Sequence, residues 1–328
     1  MRFSRRTLAK ITTLGALLTL ANVTQAQTAA PADWPNKAIR IVVGFPPGTA
    51  PDVFARMYGD QVSKKLGVPV VIDNKPGAAT NLATDLVAKA PSDGYTVLYG
   101  LSTAFTLNPF IYSKLPFDPA KDLVPVATTM VQGLVLITNP KFPANNIREL
   151  AAAARAKPGA ISHASYGAGS PSHMIAEWFK DEAKIDMLHV PYRTPPMTDL
   201  IGGQVDTLME PISTAVPMIA GGRAKALAYS GATRHPSLPD VPTFAEIYPG
   251  LTVMSWHGIW APSGVPIPIV NRLHTAFVEV TRDPEMQKRI KDLNVEPLGI
   301  SRSEMSALVR RDAEIFSKIA KAKNITLD

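Results

Sequence analysis

The sequence predicts an α/β fold divided into two lobes. Three observations carry that expectation. β-branched runs alternate with amphipathic helical stretches, the alternation occurs in both halves of the chain, and the 30 prolines cluster in the connections between them. Strand–helix alternation is what a parallel sheet covered on both faces requires. A length of 328 residues is enough for two ordinary cores.

The first 26 residues read as an export signal. The charged start Met1–Lys10 carries Arg2, Arg5, Arg6 and Lys10, an apolar stretch runs from Ile11 to Val23, and Thr24 and Ala26 are the small residues before a cut after Ala26. Ser4–Lys10 also resembles the twin-arginine export motif, so both export routes stay open. Gln27–Pro35 is a polar lead. Ala38–Gly44 is the first strand, and Phe45–Asp52 connects it to a helix over Val53–Leu66 with Phe54, Met57, Tyr58 and Val62 on one face. Val68–Ile72 is the second strand, Asn81–Ala90 a helix, and Tyr95–Tyr99 the third strand after the Asp93-Gly94 turn.

In the second half, Val131–Thr138 reads as a strand. Asn145 or Asn146 caps a helix through Ala156, with Glu149 as capping-box partner and Pro158-Gly159 as its stop. Ile161–Ser165 is a strand, and a Gly/Ser loop leads from it into a helix over His173–Ala183. Met187–Val190, Thr207–Glu210, Ala224–Tyr229 and Val253–Ala261 are further strands. Three helices close the chain. Asp283-Pro284 opens one, with Met286, Ile290 and Leu293 as its stripe; Ser301 and Glu304 form the capping box of the last, with Met305, Leu308, Ile315 and Ile319 inward.

Charge and composition exclude several functions. The net charge of +7 comes largely from the leader, and without it 30 basic residues stand against 27 acidic ones. With charges mixed in sign and only 7% aromatic residues, a nucleic-acid partner is not expected. There is no cysteine, hence no disulfide, thiolate ligand or Cys nucleophile. The six histidines lack metal-ligand spacing, so neither a metal nor a cofactor is expected.

Two connections can hold an anion. Phe45-Pro46-Pro47-Gly48-Thr49-Ala50-Pro51-Asp52 lies between a strand and a helix, where ligands of open α/β sheets bind. The helix start offers unpaired N–H groups and a positive dipole end, and Gly48 permits close backbone approach. Asp52 caps the helix or orients a water; the same residues also make an ordinary rigid turn. Ala164–His173 is the second such connection. Ser165, Ser170 and the amides of Gly167, Ala168 and neighbours form a candidate nest for a carboxylate, with a Gly/Ser loop capped by Ser172 as the plainer alternative. Ser102, Thr103 and Asp206 are additional candidates for ligand contact. Read as an enzyme, Ser170, His173 and Asp206 give a secreted hydrolase on paper, but the G-x-S-x-G elbow is absent, as are a P-loop, a dinucleotide fingerprint and H-E-x-x-H.

These segments, in this order, resemble the solute receptors of the tripartite tricarboxylate transporters (the Bug family) from about Trp34 to the C-terminus. The matching pieces include Trp34-Pro35, Phe45–Gly48 with Asp52, Asp73–Ala78, Asp93–Thr96, Asn108-Pro109, Leu115–Pro119, Ala164–His173, His189–Tyr192, Asp199–Asp206 and Leu238–Thr243. The resemblance implies a type II-like two-lobed periplasmic binding fold with a hinged cleft. Lobe one would hold residues 27–130 plus 252–328, and lobe two residues 131–251. It implies a monomeric periplasmic receptor that binds a small carboxylate without chemistry and delivers it to membrane transporter subunits; a ligand-presenting signalling receptor is the alternative. A dicarboxylate with an aromatic body is suggested by Phe45 and Phe105. The chain departs from the family pattern at Thr49, where glycine is usual, and at Arg193-Thr194, where Lys-Gly is usual. Arg193 thereby becomes a candidate partner for a second carboxylate.

Overall fold

The computed structural model describes residues 33–192 and 194–327, so the expected export signal and Arg193 lie outside the described residues. No helix among the described residues is long and apolar enough to cross a membrane.

The chain builds two sheets. β1 (Ile39–Val43), β2 (Val70–Asn74) and β3 (Thr96–Leu101) run parallel, with α1 (Ala50–Leu66) and α2 (Asn81–Ala88) as their crossovers. Two one-turn helices follow, α3 (Thr103–Thr106) and α4 (Asn108–Ile111), and then β4 (Leu123–Gln132). The second sheet takes β5 (Leu134–Thr138), β6 (Ser162–Ser165), β7 (Leu188–Pro191), β8 (Thr207–Pro211) and β9 (Lys225–Tyr229), with helices α5 (Ile147–Ala156), α6 (Pro171–Ala183), α7 (Met197–Gly202) and α8 (Ile212–Ala220). The chain then returns to the first sheet through β10 (Ser255–Pro262), α9 (Ile267–Arg282), α10 (Pro284–Lys291), the short β11 (Glu296–Pro297) and α11 (Arg302–Ala322). Strand order is β11-β4-β10-β3-β1-β2 in the first sheet and β7-β6-β8-β5-β9 in the second.

The expected strand Val131–Thr138 is broken. Gln132 ends β4 in one sheet, Leu134 starts β5 in the other, and Gly133 joins them. Met130 and Leu134–Ile137 are buried and apolar on either side, so the strand-like pattern continues across the crossing despite the polar Gln132. Gly133 is required there because a methyl group would overlap the Tyr229 ring. The helix ends follow the local chemistry. Asn146 accepts from Glu149 N, Asp283 accepts from Met286 N, and Ser301 with Glu304 forms a complete capping box. Elsewhere Ser170, not Ser172, caps α6, accepting from His173 N.

Two helices tie the sheets together. Met305 at the start of α11 packs with Trp256 and Trp260 of the first sheet. Phe316, Ile319 and Ala320 near its end share a core with Leu150, Phe179 and Met209 of the second. At 21 residues α11 is about 32 Å long, enough to span both. Leu107 and Ile111, around α4, join that second core too.

Candidate functional site

The strand registers bring the carboxyl edges of the two sheets together. In the first sheet Val43 is beside Asn74 and Tyr99, so the connections after β1, β2 and β3 leave from one edge. In the second, Ser165 is beside Pro191, and β8 runs parallel to β6, ending at Pro211. The crossing at Gly133 lies on both edges at once. Gln132 pairs with Ser255, the first residue of β10, and Leu134 pairs with Pro211, the last of β8. The returning crossing, from Tyr229 to Ser255, is at the same place, since Tyr229 pairs with Val135. Both edges therefore border one shared space, as expected for ligand sites in open α/β sheets. Helix α4 links them. Asn108 Nδ2 donates to Ala79 O (3.1 Å) and Asn81 Oδ1 (2.7 Å) on the first-sheet side. On the other side Ile111 lies so close to Gly169 that a Cβ there would overlap it.

In the first connection, Gly48 has φ +80° and donates its N–H to Asp52 Oδ2 at 2.8 Å. Asp52 is buried, and its other oxygen takes Asn74 Nδ2 at 2.9 Å and the Arg56 guanidinium at 2.9 Å. Burial pushes the Asp52 carboxyl up, but hydrogen bonds from Arg56, Gly48 and Asn74 outweigh it and hold the acid below its ordinary range. The carboxylate thus fixes the loop rather than reaching for a ligand. Phe45 O accepts from Asn74 Nδ2, and Thr49 Oγ1 donates to Pro46 O. Helix geometry leaves the N–H groups of Ala50 and Asp52 as donors, Pro51 having none.

The second connection is more self-satisfied than its glycines suggest. Gly167 N reaches Ser165 Oγ, Gly169 N reaches His173 Nδ1, Ser170 N reaches Gly167 O, and Tyr166 N reaches Ser172 Oγ. Ala168 N–H finds no acceptor among the described residues. Ser172 N–H, at the start of α6, is the second donor left over. The expected open nest over Gly167–Ser170 is corrected to these two donors.

Ser102 and Thr103 lie at the end of β3, both buried, and their hydroxyls make no hydrogen bond among the described residues. Asp206 is elsewhere. It precedes β8, and its carboxylate accepts from Ser162 N and Oγ at 2.8 Å each. That is the amino edge of the sheet, about 15 Å from the carboxyl edge along a five-residue strand. It leaves the site, and the Ser170–His173–Asp206 triad is not assembled. Ser170 Oγ donates to Gly167 O, and the Nδ1 of His173 is taken by Gly169 N. Phe105 also drops out as a ligand contact, because it stacks on Trp260 with centroids 4.0 Å apart.

Three features of this edge escape sequence reasoning. Glu210, near the end of β8, is 2% exposed and accepts Tyr166 Oη at 2.7 Å and the Thr214 hydroxyl. Burial pushes its carboxyl up to about 7, against the pull of those donors. An acid directly after Leu208-Met209, within the strand Thr207–Pro211, is the available signal. Ala78, Ala79 and Thr80 all have positive φ, three successive non-glycine residues in a strained region. Thr80 Oγ1 is buried without a hydrogen-bond partner among the described residues, and its Cβ packs against Gly44. Nothing in Ala-Ala-Thr signals this. Third, His189 holds Ser165 Oγ at 2.7 Å. Among the described residues no group of three or more His, Asp or Glu side chains could hold a metal ion.

A family model described as the tripartite tricarboxylate transporter family receptor matches residues 54–325. The chain belongs to this family. A protein encoded in the tcbD-tcbE intergenic region of Pseudomonas sp. (strain P51) is 36% identical to the receptor over 87% of this chain and 86% of its own length. Rpa4515 of R. palustris, solved with adipate, superimposes with a TM-score of 0.83 at 30% identity, over 90% of this chain and 99% of that one. The periplasmic binding protein BugD superimposes with a TM-score of 0.79 at 32% identity, over 89% and 99%. The receptor thus has the two-lobed fold of periplasmic solute-binding proteins. Its relatives are binding proteins rather than enzymes, in keeping with the unassembled triad.

Proposed function

We propose that this receptor captures a small dicarboxylate in the space between the two carboxyl edges, in the periplasm after loss of Met1–Ala26, and presents it as a monomer to the membrane subunits of a tripartite tricarboxylate-type transporter. The observation that carries the reading is the junction at Gly133. It sets the donors Ala50 N–H and Asp52 N–H of one sheet and Ala168 N–H and Ser172 N–H of the other on edges that meet. Four main-chain donors in two groups suit two carboxylates, or one carboxylate held from both sides, with no bond made or broken. The hydroxyls of Ser102 and Thr103, unbonded among the described residues, add donors, and Phe45 gives the ligand body an apolar neighbour. The adipate in Rpa4515 supports a dicarboxylate.

The proposed lobes keep close to 27–130 plus 252–328 and 131–251, with the limits moved a few residues to the sheet crossings, so that lobe two runs from Leu134 to about Met254 and α11 reaches into both cores. Closure about Gly133 would exclude water and strengthen the amide–carboxylate bonds. A thermal-shift screen with mono- and dicarboxylates of two to eight carbons tests the reading. A ligand at a hundred times its Kd adds about 2.7 kcal/mol, or about 4 °C at about 1.6 °C per kcal/mol for a chain of roughly 300 residues. A panel that leaves the melting point unmoved would overturn the proposal.

A further inference from the structure

Beneath the second connection lie two imidazoles in face-to-face contact. His173 of α6 and His189 of β7 stack with centroids 3.9 Å apart and planes inclined by 12°. His173 Nδ1 accepts the Gly169 N–H at 3.1 Å, which a protonated Nδ1 could not do. His189 Nε2 is 2.7 Å from Ser165 Oγ, and that hydroxyl in turn contacts both the N–H (3.2 Å) and the carbonyl (3.0 Å) of Gly167. One ring therefore holds the far end of the loop at Gly169, and the other holds its near end at Gly167. Ala168, with the loop's unpaired amide, lies between.

We infer that the ring nitrogens of the stacked His173 and His189 are positioning groups for the ligand loop, setting the Gly167–Gly169 backbone so that Ala168 N–H remains the free donor, with His173 doing so only while its ring is neutral. The inference rests on the second connection being a ligand loop. Two cationic rings at this separation would repel each other, and a protonated Nδ1 would reject the Gly169 N–H.

The groups that face the stack act in both directions. Glu177, on α6, has Oε1 3.9 Å from His173 Nε2 and favours a cationic ring. Lys180 of the same helix holds that oxygen at 2.8 Å and opposes one, as does His163 of β6. Lys323, just beyond α11, reaches Glu177 at 3.9 Å and pairs with Asp181. Burial, then His189 and Lys180, pull the His173 ring down to about 3. Burial also lowers His189, with Glu177 opposing.

Two substitutions separate the roles. His173→Asn keeps an acceptor where Nδ1 stands and cannot be protonated; His173→Phe keeps a stacking ring and has no acceptor. Hydrogen–deuterium exchange of the ligand-free loop at pH 7.5 should speed up about fivefold or more over residues 166–170 in His173→Phe and stay near wild type in His173→Asn. Adipate binding should weaken about tenfold in the first and be kept in the second. Because burial holds the His173 ring down to about 3, the wild type and His173→Asn should show the same pH dependence of affinity between pH 7.5 and 5. Unchanged exchange and affinity in His173→Phe, or equal change in both variants, would overturn the inference. If His173→Phe does not fold, His189→Gln against His189→Leu makes the same comparison at Ser165, with the same readings. If the wild type binds no dicarboxylate, the proposed function falls, while loop exchange still decides whether the ring nitrogens set the backbone.

Discussion

Gly133→Ala is the sharpest perturbation of the junction between the sheets. The new methyl would overlap Cε2, Cζ and Oη of Tyr229. That ring has no free side to yield toward. It is 4% exposed, a Cβ at Gly231 would overlap its other edge, and its Oη lies 3.9 Å from Met254 Sδ. The ring is thus held between the outgoing crossing at Gly133 and the returning one at Gly231. Overpacking in a well-filled core costs about 1–3 kcal/mol, and a trapped aromatic ring belongs at the upper end. At about 1.6 °C per kcal/mol for roughly 300 residues, a cost of about 3 kcal/mol lowers the melting point by about 5 °C. Differential scanning calorimetry on wild type, Gly133→Ala, Tyr229→Leu and the double variant measures it. Leucine removes the atoms that the methyl meets, so the cycle should show a coupling of at least about 1 kcal/mol in favour of the double variant. Gly202→Ala, with open space around it, serves as the control. A Gly133→Ala protein melting with wild type, or strictly additive changes, would refute the packing of the two crossings around Tyr229.

Other expectations follow from the same contacts. Asp52→Asn replaces an acceptor of Gly48 N–H, Arg56 and Asn74 with a group that must turn a donor toward one of them. It should cost about 1–3 kcal/mol in urea unfolding and weaken ligand binding, and equal midpoints would contradict it. Because the folded-state pKa of Asp52 is depressed, its stabilisation is present above the unfolded value near 3.8 and is lost as pH falls below that. The buried rings of His163, His173 and His257 are each pulled down to about 3 by burial. A neutral folded histidine and an unfolded one that protonates near 6.5 make stability fall as pH drops below that value, by about 2 kcal/mol per ring at pH 5. Urea midpoints that match at pH 7 and pH 5 would reject this, and His257→Asn should recover about a third of the loss. Ser170→Ala removes the α6 cap and should cost about 1 kcal/mol; unchanged unfolding free energy would show that the cap contributes nothing.

The elements were largely legible because local chemistry sets them. The Asn146/Glu149 and Ser301/Glu304 pairs, the proline after Asp283 and the stripe of α11 each fix a helix from within a few residues. What stayed hidden depends on partners distant in sequence. Gly133 lies in a strand-like run from Val131 to Thr138 interrupted only by Gln132, and only Tyr229, about a hundred residues later, reveals that the run changes sheets. The same holds for the site. Its two connections could be read from glycines next to helix starts, but not which amides the loops would use on themselves. Asp206 looked suitable by residue type, yet it lies at the wrong end of β8, and residue type says nothing of which strand end a side chain occupies. Glu210 was visible only as an acid in an apolar strand, and its burial comes from Tyr166 and Thr214 closing over it.

The central claim is that two sheet edges clasp one carboxylate-bearing guest without altering it. Isothermal titration of the leaderless receptor with adipate, followed by recovery of the ligand, addresses it directly. The account predicts saturable binding at a single site per chain, weakened when Ala168 is replaced by proline, with adipate recovered intact. Heat that never saturates, binding indifferent to Ala168→Pro, or a chemically changed ligand would contradict it.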